Sequence, residues 1–117
     1  MESESGPKVI EKKDMDEYFE GEMNEAISIF DIEENIQVGV LTLEPETRLP
    51  AEGMSEHEHS HEFSYVIEGE VILGTDSGEK KIKKGELMYN KPGTSHYTIN
   101  RSSDPAKVLW FLSPPME

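Results

Sequence analysis

From Ala26 onward apolar and polar residues follow one another in short runs: "AISIF", "IQVGVLTL", "EFSYVIE", "EVILGT", "KKIK", "LMYN", "HYTIN" and "AKVLWFL". Turn-forming stretches separate them, namely "EEN", "EPET", "EG", "DSG", "KGE", "KPG" and "SSDP". Strand-length runs divided by turns roughly every eight to twelve residues predict an all-β chain, built as an antiparallel sandwich or barrel. No internal repeat or long helical pattern interrupts the series. Residues 1–25 are acidic, polar and weakly periodic, which predicts a mostly mobile segment with a short helix around Asp14 to Phe19. The expected organisation is an acidic segment over 1–25 followed by one β domain over 26–117.

Several turns carry their own mechanism. Gly78 after Asp76-Ser77, and Gly69 between Glu68 and Glu70, supply the backbone freedom that tight hairpins require. Pro50 and Pro92-Gly93 mark loops where a strand cannot continue. Lys80, Lys81, Lys83 and Lys84 sit beside a turn and read as charges that protect a sheet edge. The closing run, Val108 to Leu112, is apolar on both faces around Trp110, which predicts burial on both sides, either in the sandwich core or beneath a partner subunit.

Composition narrows the chemistry. The 117 residues, of which 34% are hydrophobic, suit a single core, and the net charge of −14 opposes nucleic-acid binding. No apolar run approaches the ~18 residues of a membrane span, and "MESESGPKVIEKKDMDEYFEG" has no hydrophobic signal core, so a cytoplasmic location is expected. With no cysteine in the chain, any metal must be held by His, Glu or Asp.

The stretch "SEHEHSHEFSYVIEGE" places His57, His59 and His61 at alternate positions. In an extended strand such positions share a face about 6.6 Å apart, twice the rise per residue, so His57 and His59 can aim at one point. Glu62 and His96 are the available sources of further ligands. A register condition attaches to Glu62. An unbroken strand from 57 to 67 would put it opposite the histidines. A turn or bulge at Ser60-His61 would bring Glu62, Ser64 and Val66 to the site and turn Phe63, Tyr65 and Ile67 away. On the run containing His96, Thr98 and Asn100 share its face, and Tyr97 and Ile99 take the other. That polar face either lines a cavity or meets solvent.

These residues resemble the cupin superfamily, small jelly-roll or double-stranded β-helix proteins carrying two motifs. "EFSYVIEG" matches the second half of the first, with Glu62 and Gly69 in place and Gly53 upstream. "GELMYNKPGTSHYTIN" matches the second, G-x5-P-x-G-x2-H-x3-N, at Gly85, Gly93, His96 and Asn100, with Pro92 one position late. The His-x-His element fits either His57 and His59 or His59 and His61. The resemblance spans roughly residues 26 to 117 and is similar in its ending to the cupin half of some helix-turn-helix transcriptional regulators.

The resemblance implies a cupin β-barrel and a divalent transition metal (Fe, Mn, Ni, Co or Zn) on His57, His59, Glu62 and His96, with His61 as substitute. It implies a metal-dependent enzyme acting on a small oxygen-bearing metabolite, by dioxygenase-type or isomerase-type chemistry. The alternative is a non-catalytic module that binds a sugar or organic acid. Tyr65, Tyr89 and Tyr97 are candidate acid–base groups that more commonly pack as aromatics. Arg48 and Arg101 are candidates to hold a substrate carboxylate. Expected partners are a small-molecule ligand and a second copy of the chain, joined through "IQVGVLTL" and "AKVLWFL". Neither nucleic acid nor membrane is expected.

Overall fold

The structure is a computed structural model that describes residues 6–32 and 35–115. Residues 1–5, at the start of the segment expected to be mobile, and residues 33 and 34 of the expected "EEN" turn lie outside the described residues. A helix, α1 (Lys12–Gly21), precedes β1 (Ile27–Ile32), β2 (Ile36–Leu43), β3 (Thr47–Leu49), β4 (His61–Glu68) and β5 (Glu70–Thr75). After them come β6 (Gly78–Lys83), β7 (Leu87–Asn90), β8 (His96–Asn100) and β9 (Ala106–Ser113). All their pairings are antiparallel.

The strands form a five-stranded sheet in the order β1-β2-β9-β4-β7 and a four-stranded sheet in the order β3-β8-β5-β6. The two are packed layers, not one closed barrel, because no ladder among the described residues joins an edge of one sheet to an edge of the other. Alternation decides what lies between them. Along β9 the buried positions are Ala106, Val108, Trp110 and Leu112, and the intervening side chains are half-buried. Leu41 and Leu43 of β2, Val66 of β4, Val71 and Leu73 of β5, and Ile82 of β6 complete the core. The edge strand β6 exposes all its residues except Ile82, so its lysines stand on a free sheet edge.

Two buried details fix the frame. Trp110 faces Gly39 across the β2–β9 ladder, and its indole N–H donates to the Val40 carbonyl at 3.0 Å. A Cβ at Gly39 would overlap both that ring and the Ile27 carbonyl, so only glycine admits the indole there. Asn100, fully buried, donates to the carbonyls of Leu43 and Asp104 and accepts from the Ser102 backbone and hydroxyl. It thereby ties the β8–β9 connection to the end of β2.

The helix docks on the outer face of the larger sheet. The Thr42 hydroxyl donates to the Phe19 carbonyl at 2.6 Å, and the Phe19 ring is buried. None of the described helices is long and apolar enough to cross a membrane.

Gly39→Ala is expected to destabilise the chain by roughly 1–3 kcal/mol, because Trp110 must leave its rotamer or the sheet must shift. Urea unfolding should show a lower midpoint with an unchanged slope.

Candidate metal centre

The site is assembled by a backbone clamp between two loops far apart in sequence. Ser55 and His96 exchange both of their N–H···O bonds, at 2.8 and 2.9 Å. Gly93 donates its N–H to the His57 carbonyl at 3.0 Å from a left-handed conformation with φ 82°, which glycine adopts without strain. The Ser95 hydroxyl adds a bond to the Glu56 carboxylate. Residues 55–57 are thus laid beside the start of β8.

Immediately afterwards the chain turns. The Ser60 N–H reaches back to the His57 carbonyl at 3.4 Å, closing a turn through Glu58-His59, and the buried Ser60 hydroxyl donates to the Pro114 carbonyl. The turn thus falls at Glu58-His59, ahead of the expected Ser60-His61, and β4 begins at His61. Glu62, Ser64 and Val66 face the interior, and Phe63 and Tyr65 are exposed. The alternating histidines therefore do not share a face.

His57, Glu62 and His96 come together, each offering one donor atom within 4.8 Å of the others. Glu62 Oε1 lies 3.3 Å from His96 Nε2 and 3.8 Å from His57 Nε2. The two rings are 5.4 Å apart between centroids, and all three side chains are at most 15% exposed. His59 is not among them. It sits in the turn with its side chain 65% exposed, Nε2 3.9 Å from Glu58. His61 points from the opposite side of the sheet, where Nδ1 hydrogen-bonds the Tyr89 hydroxyl at 2.7 Å and the rings stack.

Polar satisfaction within the cluster is incomplete. His96 Nδ1 faces the Thr94 carbonyl at 3.0 Å and must carry a proton to bond it, which leaves Nε2 as the nitrogen turned toward Glu62. Glu62 Oε1 and His57 Nδ1 are buried without a hydrogen-bond partner. Burial pushes the His57 imidazole below its usual range; the Glu62 charge opposes this and His96 adds to it. A neutral imidazole keeps the lone pair that a cation needs. Donors at cis positions around a metal, each at roughly 2.0–2.2 Å, lie about 3 Å apart, so these three need small movements to close on one ion. The donor set fits a transition metal and leaves coordination positions free.

The cluster forms one end of a cavity of about 360 Å³ between the sheets. Ser64 and Thr98 continue the polar end, and Leu41, Leu73 and Trp110 are among its apolar walls. The sequence had offered solvent or a cavity for the His96–Thr98 face. It lines the cavity.

Sequence reasoning passed over Asn90, which pairs directly with Glu62 across β4 and β7 and has a buried Nδ2 without a partner. Its place two residues after Met88, on an inward-facing alternation, was the available signal.

The other candidates lie elsewhere. Tyr65 and Tyr89 are exposed on the outer face of the larger sheet, and Tyr89 packs on Phe63. On the smaller sheet the Tyr97 hydroxyl donates to Glu79, and Arg101 grips the same carboxylate through two bonds at 2.7 and 3.0 Å. The Arg48 guanidinium lies 4.1 Å above the Tyr97 ring, so neither arginine enters the cavity.

Facing antiparallel sheets that enclose a cavity with two imidazoles and a carboxylate at one end define a double-stranded β-helix domain. The chain belongs to the cupin family: the family model described as "Cupin domain" matches residues 39–112. The tetracenomycin polyketide synthase protein TcmJ of Streptomyces glaucescens is 31% identical over 67 residues, 56% of this chain and 45% of that protein. The chain spans about half the length of the curated relatives it matches. A solved structure described as a sugar phosphate isomerase from a cupin superfamily, from Silicibacter pomeroyi, is 26% identical, with a TM-score of 0.61 over 69% of this chain and 52% of that one. The cupin domain of an XRE family transcriptional regulator from Enterobacter cloacae shares the fold at 18% identity, with a TM-score of 0.67 over 77% of this chain and 95% of that one.

Arg101 and, after it, Tyr97 hold Glu79 down to about 2 from its usual 4.5. Because the folded value is depressed, the stabilisation is present above about 4.5 and is lost as pH falls toward 2. Glu79→Gln should lower the thermal midpoint at neutral pH, and its difference from wild type should shrink through that acid window when melting is followed by circular dichroism.

Proposed function

We propose that this cupin domain holds a divalent transition metal on His57, Glu62 and His96 and binds a small oxygen-bearing metabolite in the adjoining cavity. The observation that carries this reading is the His96–Glu62 contact. With Nδ1 committed to Thr94, His96 turns Nε2 toward a buried carboxylate oxygen that has no hydrogen-bond partner. A second imidazole, His57, converges on the same oxygen, so a positive charge shared among all three donors satisfies the carboxylate better than one proton on a single ring. Fe, Mn, Ni, Co or Zn suits the nitrogen and oxygen donors, and the chain's own donors do not choose among them.

The bound metal would supply Lewis acidity or an open position for dioxygen, giving isomerase-type or dioxygenase-type turnover. This chain's residues contribute the rest. Thr94 fixes the His96 tautomer, the clamp from Ser55 to His57 sets the approach of the second imidazole, and the apolar walls exclude water from the ligand. The fold shared with the XRE regulator's cupin domain favours a second reading, a sensing module that binds the metabolite without converting it. Product formation from candidate ligands, followed by mass spectrometry or NMR for isomerisation and by dioxygen consumption for oxygenation, separates the two.

The outer face of the larger sheet supports a homodimer. Phe63, Tyr65, Leu87 and Tyr89 are exposed there, and Phe63 and Tyr65 stand beside Phe111 and Leu109 of β9. The outward side chains named here include no carboxylate, although the chain carries −14 overall, so two copies can approach through this face without the repulsion expected elsewhere.

Metal analysis by mass spectrometry, on protein purified without chelator or affinity nickel, should find near-stoichiometric metal in wild type, His59→Ala and His61→Ala. His57→Ala, Glu62→Gln and His96→Ala should lose most of it. A metal-free wild type that also fails to take up added Fe, Mn, Ni, Co or Zn would remove the proposal. Sedimentation equilibrium at micromolar concentration should give a dimer that Phe63→Glu converts to a folded monomer.

A further inference from the structure

We infer that the cavity takes a ligand with an apolar, ring-sized body and its oxygen donors confined to one end, and that it excludes phosphorylated sugars. The oxygen end rests on the metal proposal. The apolar body follows from the walls alone.

Polarity in the cavity is segregated. His57, Glu62 and His96 stand at one end, Ser64 and Thr98 follow beside their cross-strand partners Trp110 and Leu73, and Leu41, Val66, Val71 and Val108 line the space beyond them. A ligand that bonds at the polar end must lay the rest of its surface against these side chains. At about 360 Å³ the space lies near the lower end of the range for small-molecule sites, roughly 300–1,000 Å³. That admits a substituted ring and little more.

Charge makes the exclusion. Among the described residues no lysine or arginine lines the cavity, and the ionisable residues that do, besides the two histidines, are Glu25 and Glu62. A phosphate is recognised by guanidinium, ammonium or converging N–H groups, and here it would lose its hydration beside carboxylates. Arg48 and Arg101, which could have served, are engaged with Tyr97 and Glu79 on the other face of the smaller sheet. A free sugar fares little better, because its ring carries hydroxyls on all sides and the apolar wall would leave most of them unpaired. Two adjacent oxygens on an otherwise apolar ring meet both demands. They can chelate at the positions that three protein donors leave open, and they leave the remaining surface free to meet Leu73 and Trp110.

The test compares tropolone with 4-isopropyltropolone. Both carry the same adjacent carbonyl and hydroxyl oxygens and differ only in apolar body, so the metal's contribution largely cancels between them. Zinc-loaded protein is titrated with each, and with mannose 6-phosphate, by isothermal calorimetry. Zinc is redox-silent and diamagnetic, so the indole N–H resonance of Trp110, the chain's single tryptophan, reports whether the ligand sits in the cavity.

The expected result is at least tenfold tighter binding of 4-isopropyltropolone than of tropolone, a shift of the Trp110 resonance, and no detectable binding of mannose 6-phosphate. Equal affinities for the two tropolones, tighter binding of the phosphosugar, or binding that leaves Trp110 unmoved would overturn the inference even with zinc in place. Failure to load zinc would count against the metal proposal alone. The same titration is then read on the metal-free protein, where the isopropyl compound is still expected to bind at least tenfold more tightly, and equality there overturns the inference.

Discussion

A carboxylate held between two imidazoles with little solvent exposure carries a desolvation cost, and much of the local architecture holds it there. Glu62 comes from a strand, His57 from a loop and His96 from the first position of another strand in the opposite sheet. None is positioned by its immediate neighbours alone. The reciprocal bonds of Ser55 with His96, and that of Gly93 with His57, lock the loop against the second sheet. The Ser60 anchor to Pro114 then sets where β4 begins. Each of these contacts helps hold the three donor side chains against one another.

The same sheets separate two kinds of surface. Their facing sides carry aliphatic side chains and the cavity. The outward side of the larger sheet is also apolar where Phe63, Tyr65, Leu109 and Phe111 lie side by side. The outward side of the smaller sheet instead carries the Arg48–Tyr97–Glu79–Arg101 group. An exposed aromatic lane on one side and a charged, self-satisfied cluster on the other give the domain one sticky face and one inert face.

Much of the fold was legible because strand alternation and turn residues are local signals. The segments after Ala26, the glycine turns and the lysine-protected edge all follow from spacing. Glu62 was legible only conditionally, since its orientation hangs on whether the chain turns before it. His59 was not. The turn through Glu58-His59 contains neither glycine nor proline, so nothing in "HEHSHE" announces it; it is imposed by the clamp from a remote loop and by Ser60 reaching Pro114. The arginines were equally opaque, because Glu79, the partner of Arg101, lies on a strand that does not pair with that of Tyr97. Such pairings are tertiary facts, and period-2 reasoning has no access to them.

Asn100 and His96 occupy the two ends of one five-residue strand and answer to different demands. The histidine faces the cavity, whereas the asparagine is spent wholly on carbonyls and a serine of the connecting loop. The shared motif is therefore a composite of two instructions written in one line. A relative that holds no metal would be free to replace His96 yet would still need Asn100, and Gly93 with it, to close its loops. A match at the glycines and the asparagine thus testifies to ancestry and shape, and only the histidines and the glutamate testify to chemistry.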